Sequence, residues 1–152
     1  MSASGYLAST LIGTWRIHDY LAVRPDGDTL RLMGSQLQGY IMYAADGHVS
    51  VNLQVDGRVP YASGDFTSAT VEERAAAAAG YFAYAGTYQV DEALRMVTHK
   101  VLFSLVPNWV NSEQKRLIIL EGSRLELRAP ETSLVKGEPR ILRIIWERTD
   151  PA

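Results

Sequence analysis

Apolar and polar residues alternate along most of this chain in short runs. Turn signals separate the runs: Pro25-Asp26-Gly27, Asp46-Gly47, Asp56-Gly57, Glu121-Gly122 and Lys136-Gly137. A period of two marks a half-buried strand. The pattern predicts strands over Trp15–Val23, Gln38–Tyr43, His48–Val55, Gly86–Val90, Met96–Leu105, Lys115–Leu120, Arg124–Arg128 and Ile141–Arg148. Short antiparallel strands in this number, with tight connections, point to an all-β, eight-stranded up-and-down barrel, which has no exposed edges because the sheet closes on itself. A barrel of about eight strands is wide enough for one small ligand.

One segment has a different period. Thr70-Val71-Glu72-Glu73 reads as a capping box ahead of the alanine run Ala75–Ala79, which predicts one short helix from Val71 to Tyr81 or slightly beyond. Val71, Ala75, Ala78 and Phe82 recur at helical spacing and are its expected buried stripe. The aromatic exit Tyr81-Phe82-Ala83-Tyr84 either lines a ligand entrance or packs the helix on the barrel. Between Asp56 and Ser68 the chain has Gly57, Pro60 and Gly64 and no period, as expected of a long loop of the kind that often forms a lid.

Composition narrows the function classes. The 152 residues fit a single domain over 1–152, with 47% hydrophobic residues and enough length for a real core. Fifteen basic against seventeen acidic residues give a net charge of −2, which favours neither nucleic acid nor an anionic membrane surface as a partner. No apolar run approaches the ~18 residues of a membrane span. Met1–Leu11 lacks the basic start and the apolar stretch of an export signal, so a cytoplasmic location is expected. With no cysteine, chemistry must come from oxygen and nitrogen groups.

Strand alternation sets which polar groups face inward. Val97, His99, Val101, Phe103 and Leu105 share one face, apolar except for the histidine. In the first strand Trp15, Ile17, Asp19, Leu21 and Val23 form one set against Arg16, His18, Tyr20 and Ala22, which puts Asp19 inside. Arg116 falls inward with Ile118 and Leu120 on one of two readings of its strand, Tyr88 sits on a face with Gly86 and Val90, and Trp146 lies inward with Leu142 and Ile144. The functional reading is an apolar cavity in which Asp19, His99, Arg116 and one or two tyrosines, Tyr43 and Tyr88, meet a ligand beside Phe103 and Trp146. In that reading His99 and Asp19 supply acid–base chemistry near neutrality. The plainer reading pairs Asp19 with Arg116 as a buried ion pair and has His99 donate to a carbonyl. Trp109, in Pro107-Asn108-Trp109, either caps the open mouth or marks a structured turn. His18, His48 and His99 have no metal-ligand spacing, and no nucleotide fingerprint or nucleophilic-serine motif occurs, so no metal and no cofactor are expected.

Gly13-Thr14-Trp15 opening the first strand and Trp146-Glu147-Arg148 closing the last resemble the lipocalin signature, in which an arginine covers the first-strand tryptophan. Arg148 stacked on Trp15 would close the narrow end and contribute ~0.5–2 kcal/mol by cation–π contact. The resemblance extends to a bacterial and fungal lipocalin-like family. It runs through Gly39-Tyr40-Ile41-Met42-Tyr43, Asp46-Gly47-His48-Val49-Ser50, Tyr84-Ala85-Gly86-Thr87-Tyr88, Val97-Thr98-His99 and Val106-Pro107-Asn108-Trp109. It implies a calycin-type barrel, a fold that hosts carriers, isomerases and cyclases alike. Three functions follow as expectations: a binder of a small hydrophobic or aromatic metabolite, a cofactor-independent isomerase, cyclase or hydratase using the same cavity, and a structural homodimer module with a filled core.

Overall fold

A computed structural model describes residues 5–152. The chain runs α1 (Tyr6–Leu11), β1 (Gly13–Val23), β2 (Thr29–Arg31), β3 (Leu37–Tyr43), β4 (His48–Val55), α2 (Val71–Ala79), β5 (Tyr81–Asp91), β6 (Met96–Ser104), β7 (Glu113–Glu121), β8 (Arg124–Arg128), β9 (Ser133–Val135) and β10 (Glu138–Arg148). Strands β1, β3, β4, β5, β6, β7, β8 and β10 pair in that order, and β10 returns to pair with β1. The sheet therefore closes as the expected eight-stranded antiparallel barrel. The short strands β2 and β9 extend its rim on the end of β1 and the start of β10. Val49, Val51 and Leu53 on β4, and Val97, His99 and Val101 on β6, are buried at alternate positions, as a period of two requires.

The barrel has one closed and one open end. At the closed end Arg148 lies 4.0 Å over the Trp15 ring. Its guanidinium also donates to the carbonyls of Ile12 and Thr10, and the Trp15 indole donates to Leu11 O at 2.9 Å. These bonds hold α1 across the end, with Leu7 and Leu11 buried and the helix N-terminus docked on the Glu92 carboxylate. Gly13 has φ +128°, and a Cβ there would stand 2.8 Å from Arg148 Nη1, so the motif glycine makes room for the arginine. This helix adds a second to the single one expected; the i, i+4 pair Leu7 and Leu11 was its only sequence signal.

At the open end α2 begins with the expected capping box: Thr70 Oγ1 accepts from Glu73 N–H, and the Glu73 carboxylate accepts from Thr70 N–H. The helix stops at Ala79, however, and Tyr81 already pairs with Gln54 across β4 and β5. The β-prone aromatic run belongs to the sheet, where its backbone groups find partners. The expected buried stripe is absent. Val71 is 80% exposed, no residue of α2 is buried, and polar ties hold the helix to the 56–70 connection, such as Glu73 with Ala62 N–H and Arg58 with Ala77 O.

Two bulges reverse two expected facings. Ile17 pairs with Trp146 but Asp19 with Ile145, so His18 is an extra residue and from there Tyr20 and Ala22 face inward. On β6, Val101 pairs with Gly86 but Phe103 with Ala85, so Leu102 is extra and Phe103 turns outward, 72% exposed. A Cβ on Gly86 would collide with the Lys100 carbonyl, so the glycine permits this close approach of the two strands.

Candidate functional site

Toward the open end the barrel interior holds a small cavity of near 10 Å3, room for about one water. Ile41, Val51, Leu53, Leu127 and Ile144 make its apolar wall. Phe82, near the start of β5, and Trp109, in the one-turn helix Pro107–Trp109, stand at the mouth with ring centroids 5.3 Å apart and nearly perpendicular. Tyr20, Tyr84, His99, Arg116 and Trp146 supply the polar atoms. A larger groove of about 570 Å3 runs outside, between Val55–Tyr61 and Ala76–Ala77, but it is open and none of its lining residues is buried. The interior cavity, which holds a buried cation, is the stronger site.

His99 is 1% exposed and faces inward, as its strand alternation requires. Its two ring nitrogens are both engaged: Tyr43 Oη lies 2.6 Å from Nε2 and Tyr84 Oη 2.5 Å from Nδ1. Burial, assisted by the Arg116 guanidinium, pulls the imidazole pKa down to about 3. The ring is therefore neutral at pH 7, and the titration near neutrality expected of it is absent. Burial raises both tyrosines well above their ordinary range, against a smaller lowering by Arg116.

Arg116 is 7% exposed and lines the cavity. It donates to two neutral acceptors, Lys115 O at 2.8 Å and Gln114 Oε1 at 3.4 Å. Neither the expected convergence of Asp19 with this group nor the plainer Asp19–Arg116 ion pair is formed. The bulge at His18 turns Asp19 away from the cavity, and its carboxylate accepts from Arg31 Nε at 3.3 Å. Trp146, 1% exposed, also lines the cavity, and its buried indole N–H has no partner among the described residues.

The other expected residues divide. Trp109 stands at the mouth, while Phe103 lies on the outer surface. Tyr43 reaches the site only through His99. Tyr88 packs edge-on against Tyr43, donates its hydroxyl to Ala44 O and does not line the cavity. Trp15 and Arg148 close the far end. Phe82 and Tyr84, from the aromatic run expected either to line an entrance or to pack the helix on the barrel, line the cavity, and Tyr20 does so against its expected facing. The parity of Gly86 and Tyr88 carried back along β5 would have found Tyr84 and Phe82; Tyr20 was hidden by the bulge. No cluster of metal ligands occurs among the described residues, and no described helix is long and apolar enough to cross a membrane.

The sequence model of the lipocalin-like domain family matches residues 12–149. The chain is similar to the 4'-hydroxy-3'-methoxypropiophenone carrier protein ppsC of Aspergillus oryzae, with 28% identity over 106 residues that span 66% of this chain and 96% of that protein. It is also similar to an uncharacterized protein from Bacteroides eggerthii DSM 20697, at a TM-score of 0.47 and 10% identity, covering 91% of this chain and 99% of the other.

Proposed function

Since this chain belongs to the lipocalin-like domain family, with all but its ends matched, we propose that its barrel binds and carries a small, flat apolar molecule in the cavity beneath Trp109. The observation that carries this reading is the cavity itself, an aliphatic wall with a few polar groups converging at its base. A filled structural core would have no reason to bury an arginine without a carboxylate. The proton-transfer alternative needs two ionisable groups at one ligand atom, and with Asp19 outside and His99 neutral the cavity favours binding over that chemistry. The relative's aryl ketone cargo fits the same class of ligand. Loading requires the half-buried Trp109 and Phe82 rings to swing aside, because the resting cavity has space for little more than a water. The setting is cytoplasmic in this proposal.

The test is titration with N-phenyl-1-naphthylamine, whose emission rises in apolar surroundings, followed by displacement with 4'-hydroxy-3'-methoxypropiophenone. Saturable enhancement reversed by the ketone is the expected result. A folded protein that gives no enhancement would overturn the proposal.

A further inference from the structure

The polar groups of the cavity are almost all donors. Arg116 brings a guanidinium whose protein partners are both neutral. The other buried arginine, Arg140, is treated differently by the fold: it meets the Asp28 carboxylate at 3.1 Å and the Glu138 carboxylate at 3.4 Å. A buried cation without an anion is costly, so the contrast singles out Arg116. Trp146 adds an indole N–H that finds no acceptor among the described residues.

Tyr84 adds a third donor, by hydrogen-bond counting. A neutral imidazole has one N–H and one acceptor nitrogen, so one of its two tyrosines donates to it and the other accepts from it. The tyrosine that accepts retains a free O–H. Tyr43 is 1% exposed, does not line the cavity and has no further acceptor among the described residues, whereas Tyr84 faces the cavity. The satisfied arrangement has Tyr43 donating to Nε2, Nδ1–H donating to Tyr84, and the Tyr84 O–H available to a ligand. No carboxylate or side-chain amide lines the cavity to receive a cationic or donor-rich ligand.

Resting on the binding function proposed above, we propose that the cavity selects molecules that carry an ionised oxygen, a carboxylate or phenolate, on a flat apolar body. The charged oxygen sits against Arg116, with Tyr84 and Trp146 as further donors, and the body lies between the aliphatic wall and the Phe82 and Trp109 rings.

Calorimetric titration with 2-naphthoate and its uncharged isostere 2-acetylnaphthalene tests this on the wild-type protein. The acid is expected to bind about ten- to hundredfold more tightly, as a charge-assisted hydrogen bond implies. 2-Naphthylmethylammonium should bind more weakly than either. Arg116→Met should bring the acid down to the level of the ketone, the acid losing about ten- to hundredfold more than the ketone's own loss of a neutral hydrogen bond, and Arg116→Lys should keep part of the preference. 4-Nitrophenol, titrated spectroscopically, is the phenolate arm: binding should shift its absorbance toward the ionised form, and Arg116→Met should remove the shift. Equal affinity for acid and ketone, or a preference that survives in folded Arg116→Met, overturns the inference while leaving the binding function intact. Failure of both naphthalenes and of N-phenyl-1-naphthylamine overturns the two together.

Discussion

The Tyr84 hydroxyl stands 2.5 Å from Nδ1 of His99, and the imidazole is held on its other side by Tyr43. A ring so placed is a folded-state group that resists protonation, with a consequence for stability. The unfolded chain takes up a proton near pH 6.5, the folded ring only near 3. Between these values the unfolded state binds more protons, so stability is complete above about 6.5 and falls as the pH drops toward 3, by up to about 1.4 kcal/mol per pH unit. His99→Gln removes the titration, and its stability should be flatter between pH 6.5 and 5. Carboxylates whose folded values are lowered, such as Glu126, lose stability only at lower pH. Equal slopes in urea-unfolding series of wild type and variant would show that the ring is not held neutral.

Asp19 lies outside the cavity, in a pair with the largely exposed Arg31. Such pairs contribute about 0–1 kcal/mol. Asp19→Asn should therefore lower stability by at most about 1 kcal/mol and leave N-phenyl-1-naphthylamine affinity within about twofold. A tenfold loss of affinity would place the carboxylate in the site after all.

Arg148 couples the first and last strands through Trp15 and holds α1 through two carbonyls. Arg148→Ala removes the ring contact and leaves both carbonyls without their donor, for an expected loss of about 2–3 kcal/mol by denaturant unfolding. Arg148→Lys should recover less than half, since a compact ammonium lacks the planar fork that serves ring and carbonyls together. An alanine variant as stable as wild type would mean that the closed end is held by α1 packing alone.

How much of this was legible before the structure depended on whether local alternation survived. On β6 it survives from Val97 to Val101, so the inward facing of His99 follows from it; the next residue, Leu102, bulges and Phe103 emerges on the wrong face. Neither His18 nor Leu102 is a residue type that announces a bulge, because the extra residue is set by the pairing of two strands distant in sequence. The closure of Arg148 over Trp15 was legible because both residues sit in strand-end motifs that resemble the lipocalin signature, and they pair on the closed-end side of the bulge at His18. Arg116 had two possible facings from its own strand, where both alternating sets carry a cation and two apolar residues, and its lack of a carboxylate depends on where Asp19 turned.

The last prediction concerns Trp109 and the route to the cavity. Its ring packs edge-on to Phe82 and lies 6.0 Å from the Tyr84 ring, while its carbonyl is anchored by the Ser112 hydroxyl at 2.6 Å. The backbone is therefore tied down and the side chain is the movable part. Each aromatic pair contributes about 0.5–1.5 kcal/mol, so Trp109→Ala should cost roughly 1–3 kcal/mol and leave the barrel folded. If the ring is a gate, stopped-flow release of N-phenyl-1-naphthylamine should accelerate by about tenfold or more, and association should accelerate with it, so that equilibrium affinity changes little. If it is only a wall of the bound state, release alone accelerates and affinity falls in proportion. Unchanged release from a folded Trp109→Ala protein would mean that ligand enters elsewhere and that the mouth between Phe82 and Trp109 is not the way in.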